Sequence, residues 1–278
     1  MPTWRDWRRK WLNFKLLRAL WRLVSYVRWR VKRLWGVRPH RYFLFHKPLN
    51  ALCSTVDSKP PSRSRNHDDN GESPRKTVYE CLVEAGFPCD VGLVGRLDQN
   101  TSGVMLFCSD AVLSTALRNP PRSLAEAANP YKAKVYTLLL LTRPRMHQLH
   151  GDRSPERLSA LAEELAQPFS FVEHGVVRVC GRAIVEPVRC FRDPQYAHNN
   201  QPHLGWCLEC TVTLSEGKNH QIRRMAARGR YVVLALTRIK IAGMLTLDSV
   251  PEPGSCRWLD DCEVEAIRRG LGMEAAVY

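Results

Sequence analysis

The chain changes character at Pro39, and that break constrains everything after it. Residues 1–38 carry 12 basic residues and one acid, Asp6, a net charge of +11. The remaining 240 residues carry 30 basic and 26 acidic ones, a net +4, so the strongly basic balance of the whole chain mostly reports its first segment. Six of the eight tryptophans lie there too: Trp4, Trp7, Trp11, Trp21, Trp29 and Trp35. Apolar residues at 4, 7, 11, 14, 17, 20/21, 24, 27, 31 and 34 keep helical spacing, with Arg and Lys on the other faces. The segment is therefore expected to be an amphipathic basic arm, distinct from a globular body over 39–278. Three roles stay open for it: an organellar targeting segment, an RNA-binding or membrane-surface helix, or a helix that packs its Trp stripe on the body. A targeting segment is usually rich in Ser, and this one has only Ser25.

The body reads as strand-length runs with a few helices between them. Arg41–Phe45, Val104–Phe107, Val135–Leu141, Trp206–Leu214, Val232–Leu236, Arg238–Ile241 and Met244–Leu247 are expected strands. Thr77–Ala85 is an expected short helix with Thr77 as N-cap, the basic cluster before Ala226 opens another, and Asp260–Arg269 closes the chain. Residues 57–76 are polar with three prolines and no large apolar residue, so they are expected to form a flexible surface insertion. No stretch approaches 18 apolar residues without a charge, which excludes a membrane-spanning helix, and Arg18 and Arg22 interrupt the run that a secretory signal needs. Ten cysteines without such a signal read as reduced thiols, so an intracellular place is expected: mitochondrion or other organelle if the arm is a targeting segment, otherwise cytoplasm or nucleus. Cys207-x-x-Cys210 lacks a second ligand pair, and on an alternating strand its thiols point to opposite faces, so it reads as packing and no metal is expected. No phosphate-binding glycine loop and no dinucleotide fingerprint occurs.

The most informative segment is Gly95-Arg96-Leu97-Asp98-Gln99-Asn100-Thr101-Ser102-Gly103 ahead of the apolar run Val104–Phe107. An acid in a turn between two glycines, with hydroxyls after it and a buried strand behind, is how a reactive carboxylate is held at a cleft edge. The same pattern also suits an Asp that merely caps the turn. Two further segments add weight: Lys134-Val135-Tyr136 at the start of a strand, and Glu216-Gly217-Lys218-Asn219-His220-Gln221-Ile222-Arg223-Arg224-Met225 at a turn into a helix.

Together the three resemble the pseudouridine synthase superfamily, in particular its ribosomal-RNA branch (RsuA/RluB/RluE/RluF-like). GRLDQNTSG is similar to the family's catalytic-aspartate motif, KVY to the motif of its active-site tyrosine, and EGKNHQIRRM to the motif of its active-site arginine. The stretch from Arg238 to Leu259 resembles the end of the branch. The resemblance covers about residues 41–265. It implies an α+β fold, a mixed and mainly antiparallel sheet with a central catalytic cleft flanked by helices and loops. It implies conversion of uridine to pseudouridine in RNA with no cofactor, most naturally in ribosomal RNA. Asp98 is then the nucleophile (or the base that removes a ribose proton), Arg223 its charge partner, and Tyr136 the ring that stacks on uracil and assists proton transfer. Arg96, Lys134, Lys218, His220 and Arg224 are candidate substrate-binding residues, and the turned-out base requires a cationic cleft. Lys218 stands where the family often has Arg, and Ala226-Ala227 where the branch often has a bulkier pair. Many members carry an S4-type RNA-binding domain ahead of the catalytic one, and 38 residues are too short for it. A non-catalytic RNA-binding assembly factor or ribosome component that retains the fold is the competing expectation. Ribosomal RNA or a pre-ribosomal particle is the expected partner, and monomer the expected state.

Overall fold

The computed structural model describes residues 40–54, 75–142, 155–193, 195 and 206–273. The arm over 1–38 lies outside the described residues, as does the expected insertion except for Arg75 and Lys76. Strands β1 (Tyr42–Lys47), β3 (Ser102–Cys108), β4 (Lys134–Thr142), β7 (Ile184–Arg192), β8 (Trp206–Leu214), β9 (Tyr231–Ile241) and β11 (Cys256–Trp258) form one sheet in the order β11-β1-β3-β9-β4-β8-β7. Two short strands join its path, β2 (Gly92–Val94) beside β3 and β10 (Leu245–Thr246) beside β9. Every pairing is antiparallel except β3 with β9. A separate hairpin pairs β5 (Phe169–Glu173) with β6 (Val176–Cys180). The architecture is α+β.

Alternation sends successive side chains of the central strands to opposite faces, and each face has its own core. On one face Phe43, Phe45, Met105, Phe107, Leu138 and Leu140 pack with α1 (Val78–Glu84), α4 (Pro155–Ala166) and α5 (Gln221–Arg228). On the other, Tyr42, Leu44, Val104 and Leu106 pack with α2 (Ala111–Arg118) and α6 (Asp261–Gly270). A short α3 (Leu124–Ala128) precedes β4. The helices expected over Thr77–Ala85 and Asp260–Arg269 are α1 and α6. Thr77 and Glu80 make a capping box for α1, and Asp260 and Glu263 make one for α6, each satisfying two of the backbone donors a helix start leaves open.

Two expectations change. The runs Val232–Leu236 and Arg238–Ile241 are one strand, β9, because Thr237 and Arg238 keep their ladder pairs with Thr137 and Tyr136 of β4, and a bulge between Val135 and Tyr136 absorbs the irregular spacing. The run Met244–Leu247 shortens to β10 and a 3-10 turn over Leu247–Ser249. Edge strand β7 carries Pro187 at a bulge, where a missing backbone donor is tolerated. Among the described residues no helix is long and apolar enough to cross a membrane.

Candidate active site

One row of residues crosses the sheet and carries the site. Lys47 of β1 faces Gly103 of β3, Gly103 faces Arg238 of β9, Arg238 faces Tyr136 of β4, and Tyr136 faces Val212 of β8. Gly103 is indispensable to that row. Its φ of 117° is in the region open to glycine, and a Cβ there would lie 2.2 Å from the backbone oxygen of Arg238. The turn from Gly95 to Thr101 rises just before it, closed by Thr101 N–H donating to the Asp98 carbonyl at 3.1 Å.

Buried Lys47 straps this turn from below. Its ammonium donates to the carbonyls of Pro48 at 3.1 Å, Gln99 at 3.1 Å and Thr101 at 2.8 Å. Asn50 N–H donates to the Gln99 carbonyl, and Leu97 N–H to the Cys53 thiol. From above, Arg223 in the first turn of α5 donates through Nη2 to the Asn100 carbonyl at 2.6 Å and the Thr101 hydroxyl at 3.3 Å. That grip sets the Arg223 Nε 3.7 Å from the Asp98 Oδ2. His220 caps α5 in a left-handed conformation, φ 54°, and brings its Nε2 to 3.9 Å from the Asp98 Oδ1. The carboxylate thus sits at a rigid turn beside a guanidinium, with 30% of its side chain exposed.

Next to the turn a cleft of about 420 Å³ opens, lined by Gly95, Arg96, Lys134, Tyr136, Gly217 and Arg238 among others. Tyr136 is buried in its wall, 7% exposed. Asp98 is two residues beyond Arg96, which itself forms part of the lining. No Asp or Glu lines this cleft among the described residues, whereas Arg118 and Lys132 add to its cations. These two are committed elsewhere: Lys132 donates to the carbonyls of Ala116 and Asn119, and Arg118 to that of Ser114, so both serve the end of α2.

The structure therefore brings together Asp98, Arg223 and His220, and gathers Arg96, Lys134 and Tyr136 in the adjoining cleft. It draws Lys218 and Arg224 away. Lys218 donates to the Val179 carbonyl at 2.5 Å and pairs with Glu216, which also receives Gly181 N–H and the Gln221 amide. Arg224 lies over the Phe171 ring, 4.0 Å to its centroid, and donates to the Asn219 carbonyl. Both fasten the β5–β6 hairpin to the start of α5. Sequence reasoning missed Lys47 as the strap and Arg238 as a cleft wall. Cys207 and Cys210 are both buried, and burial pushes their thiols up to about 11 and about 12.

A family model described as RNA pseudouridylate synthase matches residues 41–228. The ribosomal small subunit pseudouridine synthase A of Vibrio cholerae is 25% identical over 252 residues, 88% of this chain and 80% of that protein. The ribosomal large subunit pseudouridine synthase E of Xanthomonas campestris is 29% identical over 221 residues, 78% of this chain and 94% of its own. A solved structure described as a crystal structure of pseudouridylate synthase is similar at 23% identity, with a TM-score of 0.48, over 82% of this chain and 74% of that one. The matched span takes in the Asp98 turn, Tyr136 and Arg223 alike, and by that match the chain belongs to the RNA pseudouridylate synthase family.

Proposed function

We propose that the protein isomerises uridine to pseudouridine in ribosomal RNA, without a cofactor, and that Asp98 is the reacting carboxylate. The observation that carries the assignment of Asp98 is its place: an acid on a strapped turn, 3.7 Å from Arg223, two residues beyond Arg96 in the lining of a cationic cleft. The names of the relatives from Vibrio cholerae and Xanthomonas campestris support ribosomal RNA as the substrate class. The guanidinium beside it limits the directions from which the carboxylate can approach the substrate. Tyr136 offers a ring face on which a turned-out uracil stacks and a hydroxyl for proton transfer at carbon 5. The net change is balanced within the substrate: the C1′–N1 bond breaks, a C1′–C5 bond forms, carbon 5 gives up its proton and N1 gains one.

The test is release of tritium from ribosomal RNA labelled at carbon 5 of uridine and lacking the modification. The wild type is expected to release tritium, and Asp98→Ala and Asp98→Asn to fall to background, the latter because an amide neither attacks nor accepts a proton. Tight RNA binding with no release by the wild type would replace this reading with that of a binding scaffold.

A further inference from the structure

Arg238 is the largest fully buried side chain among the described residues, 1% exposed, and it forms part of the cleft wall. Its Nε donates to the Val104 carbonyl at 2.8 Å, which fixes the plane of the guanidinium. Its Nη2 is buried and has no hydrogen-bond partner among the described residues. A buried charged donor without an acceptor is costly and calls for an explanation by function. Lys134 stands in the same cleft, and its ammonium reaches the Lys132 carbonyl at 3.4 Å. The ladder makes both neighbours of Tyr136: Arg238 pairs directly with it, and Lys134 lies two residues before it on the same side of β4.

Two cations beside a stacking ring, in a cleft with no carboxylate in its described lining, form a site for negative charge on a planar ring. The reaction makes such a charge. As the C1′–N1 bond breaks and C1′ bonds to the Asp98 carboxylate, the electron pair of the broken bond stays with uracil and spreads over N1, O2 and O4. The detached base then turns, its carbon 5 displaces the carboxylate from C1′, and it becomes neutral again. We infer that Lys134 Nζ, backed by the charge of the buried Arg238 guanidinium, holds the uracil anion while it is free of the ribose; Lys134 is then a further catalytic residue and Arg238 a positioning one. The inference rests on the proposed function and deepens it. Preorganised donors aimed at charge that develops only during reaction act on the rate and leave ground-state affinity alone. That separates this role from the other anion on offer, a backbone phosphate, whose loss weakens binding instead.

The test uses the full chain with ribosomal RNA containing uridine or 5-fluorouridine, under single turnover, reading loss of the parent nucleoside after digestion. Fluorine makes the departing base more acidic and less in need of stabilisation. Lys134→Met is expected to slow conversion of uridine RNA by about 10²-fold with unchanged RNA affinity, and to show a smaller deficit on the fluorinated RNA. Arg238→Lys, which keeps the charge and loses the fork, is expected to follow the same pattern more weakly. If the buried Arg238 variant fails to fold, judged by its thermal melt, Lys134→Met decides alone. Equal slowing on both RNAs, no slowing, or a loss of RNA affinity in place of rate would each overturn the inference. A wild type that leaves uridine intact would overturn the proposed function itself, a result distinct from all three.

Discussion

Burying an ammonium without a carboxylate beside it works against folding, and Lys134 shows this in a pKa pushed down to about 8. Burial is the largest cause, then the charges of Arg238 and Lys132, with Glu216 pulling the other way. Arg96, Arg118, Tyr131 and Tyr136 line the remaining walls of the same cleft. Between about 8 and the ordinary lysine range near 10.5, the unfolded chain binds more protons at this side chain than the folded one. The penalty is thus fully present below pH 8 and fades as pH rises toward 10.5. Lys134→Met is expected to raise the midpoint of thermal unfolding at pH 7, and its advantage over wild type to shrink at pH 10. An advantage equal at both values would show that the charge is not its source. A residue that stabilises the fold when removed yet slows the reaction is the trade expected of a group retained for chemistry. Lys47 is also pushed down to about 8, again mainly by burial, but its ammonium has three carbonyl acceptors around the Asp98 turn. Lys47→Met therefore carries the opposite sign: loss of about 2 kcal/mol in denaturant unfolding, from orphaned carbonyls, together with a slower reaction because the turn loosens.

The parallel join of β3 to β9 is the element that brings the Asp98 turn against Arg238, and it depends on the absence of a side chain at residue 103. Gly103→Ala would set a methyl within 2.2–2.8 Å of Arg238 backbone atoms at a φ that L-residues rarely adopt. A loss of roughly 4 kcal/mol or more is expected, measurable as a shifted urea midpoint; a variant as stable as wild type would mean that the join has slack. Much at this scale was legible beforehand. Strand β8 runs over Trp206–Leu214 as its alternation predicts, and Thr77 caps the helix after it. The Asp98 turn, Tyr136 and Arg223 stood out because motif order is a one-dimensional property. Lys47 and Arg238 did not, since a basic residue at the end or start of an apolar run reads as an exposed terminus, and only the register across three strands puts both in one buried row. The hairpin over 169–180 carried a signal that went unused. His174-Gly175, at φ 49° and 77°, is a two-residue turn with both angles positive between runs rich in valine. The strands within 143–203 otherwise resisted placement because β5, β6 and β7 leave Val172, Val177, Val179, Ile184 and Val188 exposed, which blurs the alternation that marks a half-buried strand.

At the scale of the whole molecule, charge and chemistry are divided between different parts of the chain. The body is only mildly cationic at a net +4, and several of its cations near the site are already occupied. Lys132 and Arg118 serve the end of α2, Lys218 is paired with Glu216, and Arg224 lies on Phe171. Arg223 holds the Asp98 turn. Such a body has good means of converting a uridine and modest means of gathering a long polyanion. The net +11 of residues 1–38, interleaved with six tryptophans, has the opposite balance: Arg and Lys to neutralise phosphates and indole rings to stack on bases. The arm is therefore expected to supply RNA affinity rather than turnover. Removing residues 1–38 should flatten the plot of log affinity against log salt by ~0.7–0.9 for every phosphate that the arm neutralises in the intact protein. The single-turnover rate at saturating RNA should stay unchanged, because among the described residues the Asp98 turn is already strapped by Lys47, Asn50 and Arg223 of the body. An unchanged salt slope would assign the arm to another task, and a slower rate at saturation would show that it reaches the cleft.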